Sequence, residues 1–513
     1  MIKKTVISVR STAILATVTV LLSACAAGPD YKSPALPSFS SLEAKATARE
    51  LTSVPNTAGG SGQRVDPTLA VPTQWWSGFQ SDALNQLVQV ALEKNPSLAA
   101  ADRSLLAAQE NANAQYGALF PTIAATGNIS RNSYPPATYG QTSGNNNTYN
   151  LYGAGVNVSY RLDLTGGVRR QIESAKAQAD YQKFQLEGAY LSLTSNVVAT
   201  AIREASQREQ YEALSKILQS QQDFAKLVAK QFEIGAVSQI DVSSQNTLVA
   251  NTQSQLLGFE KNLAITQNQL AALMGGYPGN DMAKRLDLKS LQLPKQIPDL
   301  VPSNIVAQRP DILAAEALVK STNAQFGVAS ANLLPQINLT AGLGTSALLS
   351  DMLFGPQATL WTLGAGLTQP LFQGGALAAT RRAAKANYEQ AALNYEAVVI
   401  NAFTEVSNAL KALEVSSRNL QATAAAEKNA GINLRLVEQQ YRFGTANYLA
   451  VLTSQTQYQQ AKINLINAQA DRFAYSAALY ASLGGGWWDR SGPASLRVNG
   501  QTDAPISQTQ LMK

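Results

Sequence analysis

The chain has 513 residues, of which 45% are hydrophobic and only 14% charged, against about 25% charged in an average globular protein. It has no His and a single Cys, which excludes imidazole acid–base catalysis, His-containing metal sites, thiolate clusters and intrachain disulfides. The formal net charge is +6, but Lys3, Lys4 and Arg10 supply half of that excess, and the remaining chain has no long basic run of the kind that nucleic acid requires.

Lys3, Lys4 and Arg10 flank an uncharged, mostly apolar stretch, Ser11 to Ala24. It is shorter than the ~20 residues that span a bilayer, so 1–24 reads as a secretory signal peptide. It ends in Leu22-Ser23-Ala24-Cys25, which resembles a bacterial lipobox and implies a lipid on Cys25 after cleavage. Ala26, rather than an Asp, is the residue that by resemblance to lipoprotein sorting favours the outer membrane. Residues 29–73 are rich in Pro, Ser, Thr and Ala and read as an extended tether with little regular structure.

From residue 95 onward the sequence is duplicated. Asn95-Pro96 opens a helical stretch that ends at Pro121, and Arg309-Pro310 opens another that ends at Pro335. Gly166-Gly167 is echoed by Gly374-Gly375, Phe232-Glu233-Ile234-Gly235 by Tyr441-Arg442-Phe443-Gly444, and Leu273-Met274-Gly275 by Leu483-Gly484-Gly485. One long unit repeated once, not a short-period solenoid, is the expectation. Each copy reads as helix, two strands, long helix, turn and shorter helix.

The strands alternate. Val156, Val158, Tyr160 and Leu162 share one face, opposite Asn157, Ser159 and Arg161; Ile337, Leu339, Ala341 and Leu343 oppose Asn338, Thr340 and Gly342. Trp361, Leu363, Ala365 and Leu367 repeat the pattern, and Ile123, Ala125 and Ile129 do so more weakly. This fits either a membrane barrel with an apolar exterior or a sheet on a soluble core; segments 132–148 and 346–358, suited to outer loops, favour the barrel. Transmembrane barrels begin at ~8 strands and lipid does not tolerate open edges, so four strands per chain demand sharing among two or three copies. The helical stretches 168–233 and 376–442 lack Pro and are too polar for lipid. At 1.5 Å per residue each is a rod of roughly 100 Å, and apolar steps of three and four within 393–413 predict side-by-side packing. The shorter stretches 239–273 and 447–482 need the helices at 97–119 and 311–333 stacked on them to match that length.

The ordered set of motifs resembles the outer membrane factor (TolC-like) family, and its lipoprotein branch above all. The matching residues are Gly28-Pro29-Asp30-Tyr31, Trp75-Trp76, Asn95-Pro96, Gln369-Pro370-Leu371-Phe372-Gln373-Gly374-Gly375, Tyr441-Arg442-Phe443-Gly444 and Leu483-Gly484-Gly485-Gly486-Trp487. The resemblance implies an α+β membrane protein: a homotrimer whose 12-stranded β-barrel, four strands per chain, is continued by a long periplasmic α-helical barrel with an equatorial mixed domain. The implied division is a signal peptide (1–24), a lipidated tether with an equatorial segment (25–95), a first repeat (96–275), an equatorial linker (276–306), a second repeat (307–484) and a tail (485–513). The implied function is the exit duct of a tripartite efflux system in the outer membrane, without catalytic residues, metal or cofactor beyond the lipid. Its implied partners are a periplasmic adaptor and an inner-membrane pump, often of the resistance–nodulation–division type. A type I secretion duct and a structural periplasmic lipoprotein are the alternatives.

The turns at Gly235 and Gly444 are expected helix ends on backbone grounds; the resemblance adds that such tips form the periplasmic aperture and meet the adaptor. It also implies a gate contact between the tips at Asp241 and Tyr441. Asp241 has a second explanation, since Ser238 to Asp241 spells a helix-capping sequence, and Tyr441 equally suits a packing role. Some family members carry an Arg just past the second turn and an Asp ring further in; Ala446, Ala450 and Thr453 stand there in this chain, so no metal or cation ring is carried over.

Overall fold

A computed structural model describes residues 28–33, 50–66, 69–279, 286–298 and 308–489. Cys25, the signal segment and the tail beyond 489 lie outside them. The described chain forms β1 (Arg64–Asp66), α1 (Asp82–Lys94), α2 (Pro96–Gly117), β2 (Thr122–Tyr134), β3 (Asn147–Leu162), α3 (Gly167–Glu233) and α4 (Gln239–Leu273). Then follow β4 (Gln296–Pro298), α5 (Pro310–Ala331), β5 (Gln336–Ala347), β6 (Thr359–Thr368), α6 (Ala376–Arg442) and α7 (Tyr448–Ser482). Corresponding helices of the two halves match in length: 22 residues in α2 and α5, 67 in α3 and α6, 35 in α4 and α7.

The chain divides into two compact units, one from residues 1–34, 105–182 and 315–395, the other from 35–104, 183–314 and 396–513. In the first, β2, β3, β5 and β6 form one antiparallel sheet in that order. Its register lines up the alternation across all four strands. Ile123, Val158, Ala341 and Leu363 make one row, and Ala125, Val156, Leu343 and Trp361 the next. The opposite face carries rows such as Thr122, Ser159, Thr340 and Gly364, with Thr122 and Ser159 hydroxyls 2.8 Å apart. Six glycines of β3, β5 and β6 lie on that polar face, and a Cβ at Gly342 would sit 2.8 Å from Thr362 Oγ1. A face lined by such small groups lets the sheet curl toward it.

The large side chains of the apolar face are exposed: Trp361, Leu363 and Leu367 are 74%, 80% and 68% accessible. The apolar rows run from Leu162–Ile337–Leu367 to Ile129–Tyr152–Ala347. Ten residues at ~3.3 Å each, tilted by ~40°, give a band about 25 Å high, the height of the apolar girdle of a transmembrane barrel. Among the described residues no helix is long and apolar enough to cross a membrane. The strands are longer than the alternation suggested. β3 begins at Asn147, because its Gly- and Tyr-containing first half is held by pairing with β2, and the loop between them narrows to 135–146.

In the second unit the expected end-to-end stacking of short helices occurs at both junctions. Asn95 Oδ1 accepts from the amides of Ser97 and Leu98 at the start of α2, while its Nδ2 donates 2.8 Å to Leu273 O at the end of α4. Arg309 does the matching work in the other half. It donates 2.6 Å to Ser482 O at the end of α7, holds Asp311 at the start of α5, and reaches Glu405 of α6 at 2.6 Å. Helix ends leave unmet carbonyls, and these two side chains meet them without interrupting the column.

Residues 50–66 correct the expectation of an extended tether. Leu51, Gln63 and Val65 are buried, and β1 pairs in parallel with β4. Trp75, Trp76 and Phe79 follow in a buried single turn, with Trp75 stacked 5.9 Å from Tyr480 and Phe79 6.3 Å from Phe473. The composition is that of a linker, but a few apolar anchors and one buried amide fold it onto the helices.

Candidate functional site

Two constellations stand out: the apolar sheet face described above and the helix turns. α3 ends with Gly235 at φ +75°, its amide bonding Phe232 O at 2.9 Å and the next amide, of Ala236, bonding Gln231 O at 2.8 Å. α6 ends in the same way, with Gly444 at φ +74°, its amide on Tyr441 O and that of Thr445 on Gln440 O, both at 2.9 Å. This pair of reversed bonds needs a left-handed residue, which Gly provides at least cost.

The helices then restart differently. Ser238 and Asp241 form a reciprocal capping box at the start of α4: the Asp241 carboxylate accepts from the Ser238 amide at 2.9 Å and from its hydroxyl at 2.8 Å. At α7, Asn447 caps alone by accepting from Ala450 N at 2.9 Å. Asp241 is thus a helix cap within its own chain.

Tyr441 is buried. Its hydroxyl donates 2.7 Å to Gln231 Oε1, and its ring lies 5.4 Å from Phe224 and 6.4 Å from Tyr448. These residues form one cluster with Val228 and Val451, flanked by Val237 and Val242, so the two turns share a core. Asp241 touches Tyr441 through its field only. Burial raises the Tyr441 hydroxyl pKa, with the Asp241 charge adding to it; Tyr448 is pushed up to about 12 by burial, then by Asp241 and Tyr441. Both phenols are held neutral in the fold, whereas an unfolded Tyr ionises near ~10. Their stabilising contribution is therefore complete below pH ~10 and is lost as pH rises toward about 12. Hydrogen exchange across 437–451 should accelerate in that window, and Tyr448→Phe should flatten the response.

Behind the turns runs a hydrogen-bonded amide network that a reading of apolar periodicity overlooks. Tyr448 donates to Gln245 Oε1 at 2.9 Å, and Gln245 Nε2 to Gln221 O at 3.1 Å. Gln221 Nε2 and Thr252 Oγ1 both donate to Gln459 Oε1, at 3.2 and 3.3 Å, and Gln459 Nε2 reaches Gln255 at 2.9 Å. The available signal was Gln and Thr at helix-packing steps along one helix: 245, 252 and 255. Outside this network each turn exposes an apolar pair at matching positions: Ile234 and Ile240 at 79% and 76%, Phe443 and Leu449 at 82% and 64%. No three His, Cys, Asp or Glu side chains converge among the described residues.

The "Outer membrane efflux protein" family profile matches residues 87–276 and 301–485. The chain is 30% identical over 492 residues to the probable efflux pump outer membrane protein TtgC of Pseudomonas putida, covering 95% of this chain and 98% of that one. It is also 30% identical, over 84% of its length and 92% of the other, to the pyoverdine export outer membrane protein OpmQ of the same species. The solved outer-membrane channel OprN superposes with a TM-score of 0.79 at 25% identity, covering 90% of this chain and all of that one. With sheet, stacked helices and turns accounted for along nearly its whole length, the chain belongs to the outer membrane efflux protein family: it is an outer-membrane efflux channel and not an enzyme.

Proposed function

We propose that three copies of this chain close a twelve-stranded barrel, and that the duct so formed discharges small molecules delivered by an inner-membrane pump through a periplasmic adaptor. The observation that carries this reading is the open four-stranded sheet with an exposed apolar face about 25 Å high. β2 and β6 run in opposite directions, so β6 of one copy can continue the antiparallel order into β2 of the next, a head-to-tail contact that closes into a ring. The resemblance sets the number of copies at three. The pump, of resistance–nodulation–division type on the same grounds, supplies the energy. The domain division given above, with equatorial segments at 25–95 and 276–306, belongs to this proposal.

The turns at Gly235 and Gly444 are the surfaces offered to the adaptor. The apolar pairs beside them, Ile234 with Ile240 and Phe443 with Leu449, give each chain two similar docking points. Asp241 and Tyr441 contribute to the closed aperture in the assembled ring. Asp241→Ala should cost about 1 kcal/mol as a lost capping-box partner of Ser238. A role in closure adds a rise in closed-state conductance of trimers in planar bilayers; unchanged conductance would leave Asp241 a cap alone.

Lipidation of Cys25 fits the placement of the residues that follow it. Gly28 packs on Gly327, Pro29 O accepts from Asn323, Asp30 pairs with Arg170 at 2.7 Å, and Tyr31 donates to Glu316. From 28 to 33 the chain thus descends α5 away from β5, with Gly28 at the end of this contact nearer the strands.

The test is biochemical. The mature protein should migrate as a trimer that collapses to monomer on heating, and should conduct in planar bilayers. Deleting the gene should raise susceptibility to some drugs, dyes or solvents. A monomeric, non-conducting protein ends the proposal.

A further inference from the structure

Three arginines are buried to more than nine-tenths: Arg170, Arg309 and Arg472. The first two are matched by carboxylates, Asp30 and Glu173 for Arg170, Asp311 and Glu405 for Arg309. Arg472, on α7, is fully buried, and no carboxylate among the described residues pairs with it. Its Nη1 makes a long 3.4 Å bond to Leu413 O of α6, while Nε and Nη2 have no acceptor among the described residues. Those two nitrogens lie on one edge of the guanidinium and point their hydrogens the same way, the fork that grips a carboxylate or similar anion.

The surroundings are built rather than loose. The segment 53–60 closes over the arginine stem as a tight turn, with Val54 N on Gly60 O at 2.8 Å and Gly60 N on Thr57 O at 2.9 Å. Gly59 sits so close that a Cβ there would lie 3.3 Å from Arg472 Cβ. Ser476, one turn along α7, donates to Arg472 O and, at 3.5 Å, to the buried Gln63. Val54 packs on Leu420, Leu465 and Ala468 of the same two helices. A cation in such a place is disfavoured unless an anion meets it, and burial lowers the Arg472 pKa to about 10. With no exposed surface, Arg472 is out of reach of a neighbouring subunit, and an ion that meets it has to be small enough to be enclosed.

We propose that the Nε–Nη2 edge of Arg472 is the anchor of a closed site for a small monovalent anion of chloride or formate size, which fastens the 53–60 turn onto α6 and α7. Its role is to hold the segment next to β1 in place.

The experiment uses the full mature chain in detergent at constant ionic strength, exchanged from gluconate into chloride. Melting and hydrogen exchange of residues 53–60 are followed for the wild type and for Arg472→Met. The wild type should gain at least about 2 °C in Tm, with slowed exchange in 53–60, as ligand binding to the native state requires; Arg472→Met should show neither. A wild type indifferent to chloride, or an equal response in both proteins, overturns the proposal. If Arg472→Met does not fold, crystals of the wild type grown in bromide decide: an anomalous peak within hydrogen-bond distance of Nε and Nη2 supports the site, and its absence refutes it.

Discussion

Arginine at position 363 should leave the protein unable to form a heat-resistant oligomer. Leu363 lies in the row with Ala341, Val158 and Ile123, near the middle of the apolar band, and is 80% exposed in the single chain. A charge facing lipid at the midplane of a barrel costs about 2–4 kcal/mol, and a trimer carries it three times, roughly 6–12 kcal/mol per assembly. The neighbouring Thr362 points to the other face, where its hydroxyl approaches Gly342. Thr362→Lys should therefore assemble normally and change conductance or ion selectivity instead. Heat-modifiable migration of both variants decides the matter. If Leu363→Arg assembles as well as Thr362→Lys, the apolar face does not meet lipid.

Gln459→Leu should loosen the duct at its turns without harming the sheet. Gln459 accepts from two buried donors, Gln221 Nε2 and Thr252 Oγ1. Leucine orphans both, at ~1–3 kcal/mol each, and the apolar gain returns part of that, for a net cost of about 2–4 kcal/mol per chain. An interface made of side-chain amides differs from an apolar one in what it can do, because water can take over each bond as the helices part. If the hairpins part on opening, water can replace each of these bonds, whereas the apolar cluster around Tyr441 and Tyr448 must be exposed. The variant should show a raised closed-state conductance and admit large hydrophilic antibiotics to cells, with unchanged heat-modifiable migration. Gln253→Leu, at an exposed position of α4 next to Thr252, is the control. Equal conductance in both would mean that the network supports the helices but does not restrain their parting.

Much of the architecture is written in punctuation. Pro96, Pro310, Gly235 and Gly444 bracket helices whose ends fall within a residue or two of expectation, because a missing amide or a left-handed residue is a local requirement. The strands were legible in their alternation but not in their length. The first half of β3, Asn147 to Gly155, has the composition of a loop, and only pairing with β2 extends it. Residues 50–66 were obscured for a related reason: Gln63, whose carbonyl receives the Leu51 amide within the segment, is held by Pro294 far along the chain. At the turns, Asp241 carried two readings in the sequence, and its bonds to Ser238 account for the capping one. The amide network escapes a reading of apolar periodicity because glutamine is counted as a surface residue, although Gln221, Gln245 and Gln459 are buried.

The two open edges of the sheet bear on genetics. A lone chain holds one-third of a ring and has no stable way to present β2 and β6 to lipid. An allele that folds but cannot extend its β6 edge, for instance through a proline, would enter mixed rings and spoil them. With wild-type and defective subunits made in equal amounts and mixed at random, only about one ring in eight is free of the defect. Such alleles should be dominant, and their dominance should fade as the wild-type copy is overexpressed.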